Sequence, residues 1–116
     1  MNLEALHQRF LHEDAKTRLG HLASDLLKAA TFIEIGSDQQ AKSVIFEGKY
    51  LAEWSAGDLD SSNQSAVAEI QSYLALRELQ WLKWHENPDD LKSTANSLRN
   101  WSQDLLRRGG FINDNE

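Results

Sequence analysis

Residues that interrupt a helix are confined to a few short stretches of this chain. It contains one proline, Pro88, and its glycines include the isolated Gly36 and Gly57 and the pair Gly109-Gly110. The segments between these breakers are rich in Leu, Ala, Gln, Glu and Lys, which favour helix. The spacing predicts an all-α fold, an antiparallel up-and-down bundle of four main helices.

The first two predicted helices meet at Gly36. The first covers residues 2–35, and Gly36 ends it in the left-handed conformation that glycine adopts at low cost. The second begins with a capping box at residues 37–40 (SDQQ) and ends near Ala56. Because the connection is so short, we expect the two helices to be antiparallel neighbours.

The third and fourth predicted helices also begin at recognisable caps. Residues 61–64 (SSNQ) form a second capping box, from which the third helix extends to about His85. Asn87 as N-cap, Pro88 at the first helical position and two following carboxylates begin the fourth helix. This helix ends at residues 107–110 (RRGG), where two arginines complement the helix dipole and glycine terminates the helix.

A chain of 116 residues can bury one hydrophobic core but is short for two. We therefore expect a single helical-bundle domain over residues 1–110. Residues 111–116 follow the terminating glycines and are expected to form a flexible tail.

The continuity of the first predicted helix is open. Residues 12–18 are almost entirely polar, and the apolar residues on either side of them lie about a third of a turn apart. Either one long helix twists around its partners, or the chain breaks within 12–18 and a longer helix starts near Thr17.

Helical periodicity separates helices with one apolar face from helices with two. The fourth predicted helix has one such face. The second combines a stripe of small residues with an aromatic stripe of Phe46, Tyr50 and Trp54 on the opposite side. The third also has two apolar faces. Its second face comprises Ala68, Ala75, Leu76, Leu79 and Leu82.

The surplus faces need a cover, because a four-helix bundle provides each helix with one core. The cover is an irregular packing of the monomer, a second copy of the chain, or a different protein or apolar ligand. Symmetric dimers are the commonest oligomers, so a homodimer is the leading interpretation. The interface candidates are Phe46, Tyr50, Trp54, Leu76, Leu79 and Leu82.

Charge and cysteine content limit the classes of function. The net charge of −6 disfavours a nucleic-acid partner, because phosphate binding requires clustered Lys and Arg. The absence of cysteine removes disulfides, zinc ribbons and thiol nucleophiles, and favours a cytoplasmic location. We expect neither a signal peptide nor a membrane span, since no apolar run is long enough.

Motifs for metal, phosphate or hydrolytic chemistry are incomplete. Glu4 and His7 have the Glu-x-x-His spacing of di-metal sites, but the second copy that such a site needs is missing, because Leu82 stands three residues before His85. Neither a Gly-x-Ser-x-Gly elbow nor a phosphate-binding glycine loop occurs. We therefore expect no metal and no cofactor.

Arg77 lies at the centre of an aromatic face on the third predicted helix. One interpretation is that its side chain lies along the rings, or pairs with Glu47 or Glu53. The functional alternative is an anion-recognising pocket. Its candidate residues are Tyr73, Arg77, Trp81 and Trp84.

These features favour a non-enzymatic protein–protein interaction module that self-associates or binds another protein. The alternative rests on a resemblance at the level of the fold alone. As a short helical bundle expected to dimerise, this chain resembles the HEPN-type RNases, and that resemblance implies RNA cleavage or a toxin/antitoxin-like role. That family places an Arg closely before a His. Here seven residues separate Arg77 from His85, and two separate Arg18 from His21.

Overall fold

The computed structural model describes residues 2–112, which form six α-helices and one 3-10 turn. The helices are α1 (Leu3–Leu11), α2 (Ala15–Glu34), α3 (Asp38–Ser55), α4 (Ser61–Leu79), α5 (Trp81–Trp84) and α6 (Pro88–Arg108), with the 3-10 turn at Ala56–Asp58. No strand occurs in this part of the chain, so the predicted all-α class is confirmed. Across residues 2–112, none of the helices has both the length and the apolar character needed to traverse a bilayer.

The four long helices, α2, α3, α4 and α6, form the predicted up-and-down bundle. α2 lies between α3 and α6, and α4 packs on the other side of α3. α4 reaches α6 through longer side chains, since the Tyr73 ring meets the Trp101 ring edge-on with 4.7 Å between centroids. At the other end of α4, the Arg108 guanidinium donates hydrogen bonds to Ser62 Oγ and Asn63 Oδ1.

The core is made by one apolar stripe from each long helix. Its largest fully buried apolar side chains are Leu22, Leu26, Ile45, Leu51, Val67, Ile70, Leu74, Leu98 and Leu105. Because truncating a packed Leu to Ala costs about 2–5 kcal/mol, these stripes supply much of the stability of the bundle.

The first predicted helix is broken, which decides between the two alternatives for residues 12–18. α1 ends at Leu11 and α2 begins at Ala15, slightly before the expected start near Thr17. Asp14 caps α2, because its Oδ1 accepts a hydrogen bond of 2.8 Å from the Thr17 amide.

Arg18 holds the break together from the first turn of α2. Its side chain is buried, and its Nε and Nη2 donate hydrogen bonds to the Phe10 and Leu11 carbonyls at 3.2 and 3.0 Å. Its Nη1 pairs with Asp58 Oδ2 at 2.6 Å, in the 3-10 turn. Arg18 thus satisfies carbonyls at the end of α1 and ties α1 to the turn after α3.

Several predicted caps are confirmed. Asn87 Oδ1 accepts hydrogen bonds from the amides of Asp89 and Asp90 at 3.0 and 3.1 Å, at the start of α6. Gly36 and Gly110 follow α2 and α6 with φ of 76° and 77°, the left-handed region that favours glycine.

Two predicted capping boxes are wrong in detail. Ser37 precedes α3, but its side chain makes no capping hydrogen bond. At α4 the cap is Asp60, one residue before the predicted box, and its Oδ1 accepts a 2.9 Å bond from the Asn63 amide. Gln64 donates instead to the Ala56 carbonyl at 2.9 Å, which joins α4 to the turn.

The third predicted helix does not continue unbroken to His85. α4 ends at Leu79, the chain turns at Gln80, and α5 follows. This turn brings Trp84 into the core, where its Nε1 donates a 2.7 Å hydrogen bond to the Arg77 carbonyl near the end of α4. The indole therefore satisfies a carbonyl that a continuous helix would have paired with an amide.

Phe111 begins the segment predicted to be a flexible tail. Its ring lies over Gly20 and Gly109, where an added Cβ would come within 3 Å of the ring. The Lys16 Nζ lies 5.0 Å from the same ring centroid. Residues 113–116 of the predicted tail lie outside the described residues, and the tail stays a prediction.

Candidate functional site

The aromatic stripe predicted on the second helix lies on α3 and is partly covered by α1. The Trp54 ring stacks on the His7 imidazole with 4.2 Å between centroids, and it lies 6.3 Å from the Phe10 ring. Tyr50 lies 5.7 Å from Trp54 and 5.1 Å from Phe46, measured between centroids. The separate helix α1 thus gives one surplus apolar face an internal cover at its Trp54 end.

The second apolar face of the third predicted helix has no such cover among the described residues. Leu79 and Leu82 are 83% and 85% exposed, and Leu76 is 45% exposed. The opposite face of the same helix buries Val67, Ile70 and Leu74 completely. We define the outer face of α4 and α5 by its apolar and small residues: Ala68, Ser72, Ala75, Leu76, Leu79 and Leu82.

Arg77 lies between two aromatic rings, as its sequence position suggested. Its guanidinium carbon is 5.1 Å from the Tyr73 ring centroid and 5.3 Å from the Trp84 ring centroid. Trp81 stacks on the His85 imidazole at 5.1 Å and meets the Trp84 ring edge-on at 5.0 Å, so it borders the cluster of Tyr73, Arg77 and Trp84 without contacting the guanidinium in the same way. Within residues 2–112 the Arg77 Nε has no hydrogen-bond partner and the side chain pairs with no carboxylate. The anion pocket stays a prediction.

The Glu-x-x-His pair does not form part of a metal centre in the described structure. His7 stacks on Trp54, and Glu4 is exposed. Within the described range 2–112, no three His, Asp or Glu side chains come close enough together to hold a metal ion.

A polar cavity that the sequence did not predict lies where α1, α2 and α3 meet. It has a volume of about 300 Å³. Its ionisable lining residues are Arg9, Glu13, His21, Asp25, Lys28 and Glu47. An apolar wall of Leu6, Phe10 and Leu51 completes it, with Ser24 at the side of α2. We call this the α1–α3 cavity.

Asp25 is the most buried ionisable group of the α1–α3 cavity. Its residue is only 6% exposed, and within residues 2–112 no N–H or O–H group donates to its Oδ2. Burial, together with repulsion and a side-chain hydrogen bond from the adjacent Glu47 carboxyl, raises the pKa of Asp25 to about 7. Lys28 opposes this increase in the pKa. Near neutral pH Asp25 is therefore partly protonated.

Glu13 and His21 form a second pair at the same cavity. The His21 Nε2 lies 3.0 Å from Glu13 Oε2, but without the angle of a hydrogen bond. The cavity therefore presents acidic and basic groups whose mutual pairing is incomplete.

A signal for Asp25 was present in the sequence. The residue follows Leu22 by three positions and precedes Ala29 by four, which places a carboxylate in the middle of the apolar stripe of α2. A buried carboxylate requires a partner or a proton, so such a position points to special chemistry. The cavity itself could not be inferred, because Arg9, Glu13 and Glu47 reach it from other segments.

No protein-family model matches the sequence, and neither a curated protein nor a solved structure matches the chain.

Proposed function

We propose that the protein is a helical protein–protein interaction module that forms a homodimer through the outer face of α4 and α5. The proposal rests on the exposure of Leu79, at the end of α4, and of Leu82, in α5, whereas the opposite face of α4 is buried in the core. Burying one Leu side chain contributes about 1.5–3 kcal/mol, so leaving several adjacent leucines in water is costly.

The outer face fits a second copy of itself. Ala68, Ser72, Ala75 and Leu79 follow one another at intervals of four, three and four residues, which read the same in both directions. When two α4 helices pack antiparallel about a two-fold axis, Leu79 of each copy faces Ala68 of the other. The small residues at 68, 72 and 75 then allow the helix axes to approach closely.

The aromatic candidates of α3 have a smaller part in this proposal. Trp54 is engaged by α1, whereas Phe46 lies at a shallow groove between α3 and α4 that Lys42 and Glu78 also line. Because Glu78 precedes Leu79 in α4, Phe46 would border the dimer interface. The absence of cysteine fits a cytoplasmic location, which we include in the proposal.

The solution mass of charge-inserting variants tests the proposal. At a concentration where the wild type is dimeric, Leu79→Asp is expected to be monomeric, because the substitution places two carboxylates in an apolar interface. Ile35→Asp is the matched control: Ile35 is also an aliphatic residue, 66% exposed, but it lies at the end of α2. Light scattering on a sizing column measures the masses. Dimers for both variants, or a monomeric wild type at high concentration, would contradict the proposal.

A further inference from the structure

Apart from the contact between Glu13 and His21, the ionisable groups that line the α1–α3 cavity form no ion pair with each other. The carboxyls of Asp25 and Glu47 form no ion pair with any described residue. Arg9 and Lys28 line the same cavity, and neither has an ion-pair partner within residues 2–112. Both bases are exposed, so their long side chains can turn towards a ligand at the mouth.

The burial of Asp25 gives the cavity a defined inner end. Asp25 is on the apolar stripe of α2, and its Oδ2 accepts no hydrogen bond from the described residues. An unsatisfied buried carboxylate oxygen costs free energy, which a donor group of a ligand would recover. An ammonium group is such a donor, because it brings three N–H bonds and the opposite charge.

We propose that the α1–α3 cavity binds a small zwitterion, an α-amino acid with an apolar side chain. Its ammonium group pairs with Asp25 and Glu47, and its carboxylate pairs with Arg9 and Lys28 at the mouth. The side chain of the amino acid lies against Leu6, Phe10 and Leu51, and the volume of about 300 Å³ accommodates it.

The mixed charges distinguish this ligand from simpler ones. A plain amine would leave Arg9 and Lys28 without a partner and would meet their repulsion. A plain carboxylate would meet three carboxyls, those of Glu13, Asp25 and Glu47. Only a ligand with both charges pairs with both sets.

Three matched probes test the proposal: leucine, 3-methylbutylamine, which lacks the carboxylate, and 4-methylpentanoate, which lacks the ammonium group. Isothermal titration calorimetry on the full chain measures the affinities. Leucine is expected to bind at least about tenfold more tightly than either probe with a single charge. Absence of leucine binding at millimolar concentration, or equal binding of the amine, would overturn the proposal.

Variants of the two ends of the cavity test which groups hold the ligand. Asp25→Asn is nearly isosteric and is expected to weaken leucine binding about tenfold or more, because the ammonium loses its buried counter-charge. Arg9→Gln changes an exposed side chain without threatening the fold and is expected to weaken binding through the carboxylate. Lys92→Gln, an exposed base on α6, is the control and should keep the wild-type affinity.

The pH dependence of leucine affinity distinguishes a binding role of Asp25 from a purely structural one. The ammonium group favours the ionised form of Asp25, so leucine affinity is expected to rise between pH 6 and pH 8 with release of a proton. Arg9, Glu13, His21, Lys28 and Glu47 face the same cavity and remain in Asp25→Asn, which should lose most of this rise. An unchanged affinity in Asp25→Asn, or an unchanged pH profile, would refute the assignment.

Discussion

Replacing Asp25 by Asn should make the protein more stable, and increasingly so as the pH rises. The pKa of Asp25 is raised from 3.8 to about 7 in the folded chain, chiefly by burial, so the folded state holds a proton that the unfolded chain releases. Stability therefore falls as the pH rises through the window from about 4 to about 7. A shift of roughly three pKa units corresponds to about 4 kcal/mol, of which about 3 kcal/mol falls between pH 5 and pH 8.

Asparagine has nearly the same shape as a protonated aspartic acid but has no proton to lose. The free energy of unfolding of Asp25→Asn should therefore exceed that of the wild type by about 3 kcal/mol more at pH 8 than at pH 5. Urea unfolding of both proteins at equal concentration measures this difference. Glu53→Gln removes an exposed carboxyl of α3 and should follow the wild type at both pH values. A difference between Asp25→Asn and the wild type that is the same at both pH values would show that Asp25 does not take up a proton on folding.

Two further pairs of variants test the helix boundaries by urea unfolding. Arg18→Gln should cost about 2–4 kcal/mol, since it removes the hydrogen bonds of a buried guanidinium to the Phe10 and Leu11 carbonyls, whereas Asp58→Asn should cost less than about 1 kcal/mol because Asp58 is exposed. Equal losses would show that the ion pair, and not the carbonyl contacts, holds the break. Asn87→Ala should cost about 1 kcal/mol, since it removes the acceptor of two amides, whereas Ser37→Ala should have almost no effect. A large loss for Ser37→Ala would contradict the cap geometry.

Local sequence signals predicted the ends of helices where the capping group is also local. Asn87 bonds to amides two and three residues later, and Gly36 needs only its own backbone freedom, so both could be inferred. The turn at Gln80 could not be, because it depends on Trp84 packing in a core that other helices complete. Likewise, the role of Arg18 depends on Asp58, forty residues further along the chain.

The candidate sites likewise divide into features that the local sequence predicts and features that depend on distant residues. The exposed leucines at 76, 79 and 82 follow from helical periodicity alone, because a second apolar stripe cannot face the same core. The covering of Trp54 by His7 was not foreseeable, since it requires α1 to fold back as a separate helix. The α1–α3 cavity forms only where three helices converge. The position of Asp25 within an apolar stripe was therefore its only signal in the sequence.

Cysteine cross-linking can test the proposed antiparallel packing of the outer face of α4 against a second copy of itself. The chain contains no cysteine, so single introduced thiols report without background. A mixture of Ala68→Cys and Leu79→Cys should form a disulfide-linked dimer of the two variants under mild oxidation, because the proposed antiparallel packing would place these positions opposite each other across the two-fold axis. Each variant alone should remain uncross-linked, as should Ala68→Cys mixed with Ile35→Cys. Failure of the first mixture to cross-link, or equal cross-linking in every sample, would contradict this packing.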